Sequence, residues 1–166
     1  MNKRIRQYIG LLSAILTYYI IHEGAHFIYA LLTGTFKQMN IMSMGVQIDI
    51  HRELMSDFQL GIFCIVGSIA TFITAYLLVL LTDKICKGSS KVFKACMYYI
   101  TIALLLLDPI YLSVLCKFFG GGDMNGIALL APEWVVSVVA VAVGALNAIL
   151  IWKVLYPTYT KSFTQH

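Results

Sequence analysis

The chain alternates between long apolar blocks and short polar segments, and the lengths of the blocks are its first informative feature. A helix needs about 20 residues to cross the roughly 30 Å of hydrocarbon in a bilayer. Four blocks reach that length, so we predict four membrane-spanning helices at about residues 8–32, 60–81, 95–116 and 127–152. The first block follows a basic stretch, but it is too long for the apolar core of a secretory signal, and we expect it to be retained.

The polar segment between the first two blocks has a different pattern. Val46, Ile48 and Ile50 alternate with polar residues, and a period of two is typical of a β-strand. Together with residues 39–42, this strand predicts a short hairpin whose turn includes Ser43 and Met44. No internal repeat interrupts the chain. The expected fold is therefore an all-α membrane protein of about four transmembrane helices, with a β-hairpin after the first, in a single domain over residues 1–166.

Composition supports the membrane class, because 60% of the residues are hydrophobic and only 12% are charged. Soluble domains carry about twice that share of charged residues. The formal net charge is +4, but the basic residues lie at the ends of the apolar blocks rather than along one face. Binding to a phosphate backbone needs a concentrated basic surface, so nucleic acid is not an expected partner.

The distribution of Lys and Arg predicts the orientation of the chain. If the N-terminus is cytoplasmic, nine of these residues fall on that side, and only Lys37, Arg52 and Lys117 fall on the other. Cytoplasmic loops carry the excess of positive charge in membrane proteins. We therefore expect both termini in the cytoplasm.

The strongest chemical signal is the sequence His22-Glu23-Gly24-Ala25-His26 in the first apolar block. Residues four apart share one helix face, so both imidazoles can bind one metal ion. Glu23 then lies beside that ion and can accept a proton from a water molecule, as in zinc-dependent peptidases. The alternative, two polar histidines packed between helices, is weaker. Three ionisable groups within five residues at membrane depth require compensation, and a divalent cation supplies it.

Two histidines leave a zinc site one protein ligand short, and that ligand should come from another segment. Asp108, Asp123 and Glu133 lie near the later blocks. Asp108 is at a depth similar to the motif, whereas Asp123 follows the glycine run at 120–122, which permits a tight turn toward the metal. The residues alone make Asp108 and Asp123 about equally good candidates for the third ligand. His51, a lone loop histidine, is expected to be solvent-exposed.

Several segments in order resemble the site-2 protease family of zinc intramembrane peptidases. The motif at 22–26 continues to Gly34 like the zinc helix of that family, and the segment at 36–50 looks like its short sheet. Residues 67–71 are similar to the opening of its next span, and Asp108-Pro109 resembles the end of its Asn-x-x-Pro element. Gly122-Asp123, followed by Asn125-Gly126, stands where the family has its aspartate ligand.

The resemblance implies an activity and a set of roles. It implies that His22, His26 and Asp123 hold one zinc ion and that Glu23 is the catalytic base of an endopeptidase acting on a membrane-embedded or membrane-associated peptide. It also implies a multi-pass protein of a bacterial plasma membrane. Two departures mark a divergent, minimal member: Ser68 replaces a proline, and the Asn that steadies the substrate carbonyl is missing. Asn125 is one substitute for it.

A second hypothesis comes from a different class, namely a non-catalytic membrane metal-binding protein or a transporter subunit. A transporter needs polar residues along a path through its spans. The second predicted span has little beyond Ser68, Thr71 and Thr74, and the fourth has little beyond Ser137 and Asn147. So few polar residues disfavour a transport path through the membrane. The sequence gives neither the substrate nor the oligomeric state.

Overall fold

Helices form most of the part of the chain that the computed structural model describes, which comprises residues 2–42, 45–120 and 122–164. The helices are α1 (Lys3–Leu32), α2 (Asp57–Leu80), α3 (Thr82–Cys86), α4 (Lys91–Ile110), α5 (Cys116–Phe119), α6 (Gly122–Ile127), α7 (Glu133–Leu150) and α8 (Tyr156–Thr164). Two π-helical turns, Tyr111–Leu115 and Ile151–Leu155, connect α4 to α5 and α7 to α8. The strands are β1 (Phe36–Met42) and β2 (Gly45–Ile50).

Within the described residues, three helical stretches are long and apolar enough to cross a membrane: Asp57–Leu80, Lys91–Phe118 and Glu133–Thr164. The predicted all-α class is confirmed, and the apolar helices are compatible with a multi-pass membrane protein, but the count of four spans is not supported. Helix α1 has 30 residues and is long enough. It lies outside this set because polar side chains, including His22, Glu23 and His26, interrupt its apolar sequence.

The predicted boundary of the last span was wrong at its beginning. We expected a helix from residue 127, whereas α7 begins at Glu133. Ile127 ends α6 instead, and the next residues form turns before Pro132. Pro132 is the N-cap of α7, with a ψ of 137° outside the helical range, so the helix starts at the next residue. A helix could not continue through Pro132 from the preceding residues, because proline in a helix interior removes a hydrogen bond and clashes with the preceding turn.

The hairpin predicted after the first helix is confirmed. Strands β1 and β2 pair antiparallel, with Met39 opposite Ile48 and Asn40 opposite Gln47. The predicted turn residues Ser43 and Met44 lie outside the described residues. Ile48 is buried against the helices, whereas Gln47 is exposed, as the alternating pattern requires.

Local sequence explains where α1 ends and α2 begins. Gly34 has a positive φ of 67°, a conformation that glycine adopts without strain, and the N–H of Thr35 bonds back to the carbonyl of Ala30 at 2.9 Å. Ser56 caps α2 through a reciprocal pair of hydrogen bonds with Gln59. Such a cap contributes about 1 kcal/mol. These two signals fix the ends of the segment that contains the hairpin.

Helix α1 packs against both α2 and α4, and α7 packs on α4. One apolar cluster, which includes Phe63 and Met124, lies beside the hairpin, and a second, which includes Leu104 and Tyr159, lies toward the other end of α1. Large apolar side chains such as Val138 and Trp152 remain exposed on α7 and the turn after it. A surface of this kind suits contact with lipid rather than water.

Candidate metal centre

The two histidines of the motif lie on the buried face of α1. His22 is 5% exposed and His26 is 3% exposed, and their rings meet edge to face with centroids 4.9 Å apart. Their spacing of four residues places one imidazole about one turn above the other. Both Nε2 atoms point toward the same residue, Asp123.

Asp123 reaches the histidines from α6, a short helix that packs on α2. Gly120 has a φ of 80°, which turns the chain before α6, and its carbonyl accepts a hydrogen bond from Tyr111 at 2.9 Å. Gly121, the middle residue of the glycine run, lies outside the described residues. Gly126 keeps α6 close to α2, because a Cβ at this position would lie 2.2 Å from the sulfur of Cys64. A small residue is therefore needed on α6 for Asp123 to reach α1.

The three side chains form a cluster that could hold a metal ion. Nε2 of His22 lies 3.1 Å from Oδ2 of Asp123, and Nε2 of His26 lies 3.7 Å from Oδ1. One ligand atom from each residue falls within 4.8 Å of the others. Ligand atoms of a tetrahedral zinc ion lie about 3.3 Å apart, given bonds of about 2.0 Å. Two imidazole nitrogens and one carboxylate oxygen also make a donor set that zinc accepts.

Gly67 of α2 leaves space directly against the ligand atoms. A Cβ built at this glycine would lie 2.6 Å from Nε2 of His26 and 2.8 Å from Nε2 of His22. Any side chain here would displace the two nitrogens that face Asp123. The absence of a side chain at Gly67 is thus part of the geometry that fits a metal ion. In the sequence, Gly67 stands in a segment that resembles the site-2 protease family, but no local pattern places it at the site.

Asp108 contacts the opposite side of His22. It is fully buried in α4, and its Oδ1 lies 3.2 Å from Nδ1 of His22, although the angles fall outside ordinary hydrogen-bond limits. The hydroxyl of Tyr18 donates to Oδ1 at 2.7 Å, and the hydroxyl of Thr71 donates to Oδ2 at 2.5 Å. Asp108 is therefore outside the cluster of His22, His26 and Asp123, and it supports the ring of His22 from behind.

Tyr18 and Thr71 are contributors that the sequence analysis missed. Tyr18 precedes His22 by four residues, and its ring stacks on the imidazole at a centroid distance of 5.2 Å. Thr71 follows Gly67 by four residues and is fully buried. For Tyr18, the helical spacing from His22 was a usable signal, since residues four apart share a helix face. Thr71 had no such signal, because nothing local placed Gly67 at the site.

Glu23 is half-buried and lies between the metal cluster and the hairpin. Its carboxylate is placed to accept a hydrogen bond from the backbone N–H of Ile48 in β2, and it is within electrostatic range of His22 and Asp123. The hairpin thus lies beside Glu23, which is the only carboxylate of the motif and does not belong to the metal cluster.

Three other residues named from the sequence lie elsewhere. Glu133 is exposed in the first turn of α7. Asn125 is exposed on α6. His51 pairs at 2.8 Å with Glu53 near the protein surface rather than with the metal cluster. The pKa of Glu53 is lowered because its carboxylate accepts hydrogen bonds from its own backbone amide and from His51.

Comparison of the chain with protein-family models, with curated proteins and with solved structures finds no match. The likeness to the site-2 protease family therefore rests on the motifs alone. The function has to be argued from the site itself.

Proposed function

We propose that this protein is a zinc-dependent intramembrane endopeptidase. The observation that carries the proposal is the meeting of His22, His26 and Asp123, three residues from two distant segments, beside a carboxylate at Glu23. The metal cluster accounts for three buried or half-buried polar side chains that would otherwise be costly between apolar helices.

The donor set favours zinc over magnesium and calcium. Magnesium and calcium prefer oxygen ligands throughout, whereas two imidazoles with one carboxylate suit zinc and leave its fourth position open. When bound, zinc would lower the pKa of the water molecule that it binds and would polarise the substrate carbonyl. His22, His26 and Asp123 would hold it.

Glu23 provides the acid–base chemistry in this proposal. Its carboxylate accepts the proton of the attacking water and then passes that proton to the amine of the leaving peptide. The backbone N–H of Ile48 lies beside this carboxylate, and Glu23 is already close to the metal cluster.

The hairpin offers a way to bind substrate. Strand β2 pairs with β1 along one edge, and the N–H of Ile48, which faces Glu23, lies on the other. An extended peptide that added to this free edge would pass close to Glu23 and the metal cluster, held by main-chain hydrogen bonds. A transmembrane substrate would have to unwind locally to adopt this form.

The proposal also places the site in the membrane. We take α1 as a fourth span, whose polar residues are shielded by α2, α4 and α6, with both termini in the cytoplasm of a bacterial cell. Ionisable residues in membrane helices face the bundle interior, and the burial of His22 and His26 fits that rule. The site then opens toward the extracytoplasmic side.

The direct test compares the wild type with Glu23→Gln in detergent. Both proteins should bind one zinc ion per chain, because Glu23 is not a ligand, and only the wild type should cleave a panel of labelled transmembrane peptides. A chelator should abolish cleavage, and added zinc should restore it. Equal cleavage by both proteins would exclude the mechanism. Zinc binding without cleavage of any peptide would favour the non-catalytic metal-binding alternative.

A further inference from the structure

A cavity of about 350 Å³ lies away from the metal centre, where the beginning of α1, the beginning of α4 and the helix α8 meet. Aromatic and cationic side chains dominate its wall, and none of the described residues that line it is acidic. The lining includes Lys3, Arg6, Tyr98, Tyr99, Tyr159 and Phe163. Its electrostatic character is therefore positive.

Among the described residues, the positive charges around this cavity have no counter-ion. Lys94 is fully buried behind Phe163, and its Nζ donates to the carbonyl of Ser162 at 2.9 Å. Both Lys94 and Arg6 lie 5.7 Å from the centre of the Phe163 ring. Within the described part of the chain, no carboxylate is within ion-pair distance of Lys3, Arg6 or Lys94. A buried cation without an anionic partner is costly, so an anion at this place would be stabilising.

Tyr159 gives a second, independent indication. It lines the cavity and is 1% exposed, and its hydroxyl has no hydrogen-bond partner among the described residues. Buried hydroxyl groups in proteins are nearly always hydrogen-bonded, to protein, water or ligand. An anionic oxygen that reached this hydroxyl from the cavity would satisfy this requirement and balance the cations at the same time.

We propose that this cavity binds the phosphate group of an anionic phospholipid. The phosphate oxygens accept from Lys3 and Arg6, and its charge offsets that of Lys94. Lipid is the source that the position favours, because the cavity lies at the ends of apolar helices, where basic residues attract anionic headgroups and tyrosines anchor at the interface. Inorganic phosphate shares the same chemistry and serves as the competing source. The proposal does not depend on the metal centre or on peptidase activity.

The experiment measures binding to the full-length chain in a zwitterionic detergent by microscale thermophoresis. The probes are dioctanoyl phosphatidylglycerol, dioctanoyl phosphatidylcholine and inorganic phosphate. We expect the wild type to bind the anionic lipid at least about tenfold more tightly than the zwitterionic lipid. The double variant Lys3→Gln/Arg6→Gln should lose about tenfold or more of its affinity for the anionic lipid.

The matched control is Arg4→Gln/Lys161→Gln, which removes the same charge from nearby positions that do not line the cavity. It should bind the anionic lipid within about twofold of the wild type, since exposed charges that do not contact the bound phosphate are screened and contribute little. Equal losses in the two double variants, or no preference for the anionic lipid, would overturn the proposal. If inorganic phosphate binds as tightly as the anionic lipid and only the cavity variant loses it, the lipid source is overturned.

Discussion

The carboxylate of Asp108 lies 3.2 Å from Nδ1 of His22, and the carboxylate of Asp123 lies 3.1 Å from Nε2 of the same ring. One imidazole is thus held between two acidic residues from different helices. Metal-binding histidines commonly have a carboxylate on the nitrogen that faces away from the ion, which fixes the tautomer and the direction of the ring. The two aspartates therefore have different positions: Asp123 belongs to the metal cluster, and Asp108 lies on the other side of the His22 ring. The sequence alone made them about equally good candidates for the third ligand.

The first prediction follows from this division of roles. Asp108→Asn keeps the shape of the side chain but removes its charge, and we expect zinc affinity to fall about 10- to 100-fold. Asp123→Ala removes a ligand and should abolish stoichiometric zinc. Competition with a chromophoric chelator measures both affinities. If Asp108→Asn loses stoichiometric zinc while Asp123→Ala retains it, the ligand assignment is wrong.

A second prediction concerns Gly67. A methyl group at this position would meet Nε2 of both histidines, so Gly67→Ala should lower zinc affinity at least about 100-fold, comparable with the loss of a ligand. Gly24→Ala is the matched control, because a Cβ at Gly24 has no other atom within 4 Å although it lies inside the motif. Equal zinc binding by the two variants would show that the space beside Gly67 does not belong to the metal site.

A third prediction concerns membrane orientation. If Asn125 and the site face the extracytoplasmic side, a membrane-impermeant maleimide should label Asn125→Cys in intact cells. It should label Lys87→Cys, in the loop after α3, only after the cells are opened. The wild type controls for the four native cysteines, three of which are buried. The reverse pattern of labelling would invert the proposed topology.

Much of the fold could be predicted from the sequence, because apolar block length and strand alternation are local signals. They located the helices and the hairpin, with β2 beginning one residue earlier than the expected strand. The fourth span was placed too early because the residues before Pro132 are apolar, yet they belong to a short helix and turns. Apolar composition alone does not distinguish a span from a segment packed inside the protein.

The candidate site was predictable only in part. His22, Glu23 and His26 lie in one local motif, so their spacing along the sequence was sufficient to predict them as site residues. The contributions of Tyr18, Gly67 and Thr71 depend on how α1, α2 and α4 pack together, and a single sequence does not contain those distances. Asp123 was reached through a family resemblance, and its approach to the histidines depends on the turn at Gly120 and the contact of Gly126 with α2.

The central claim is that His22, His26 and Asp123 hold one zinc ion, and X-ray absorption at the zinc edge tests it most directly. On the purified wild type with one zinc per chain, we expect two imidazole nitrogens at about 2.0 Å, the remaining ligands oxygen, and no sulfur. His26→Ala should lose stoichiometric zinc. A spectrum with sulfur ligands, or with fewer than two imidazoles on stoichiometric zinc, would contradict the metal centre described above.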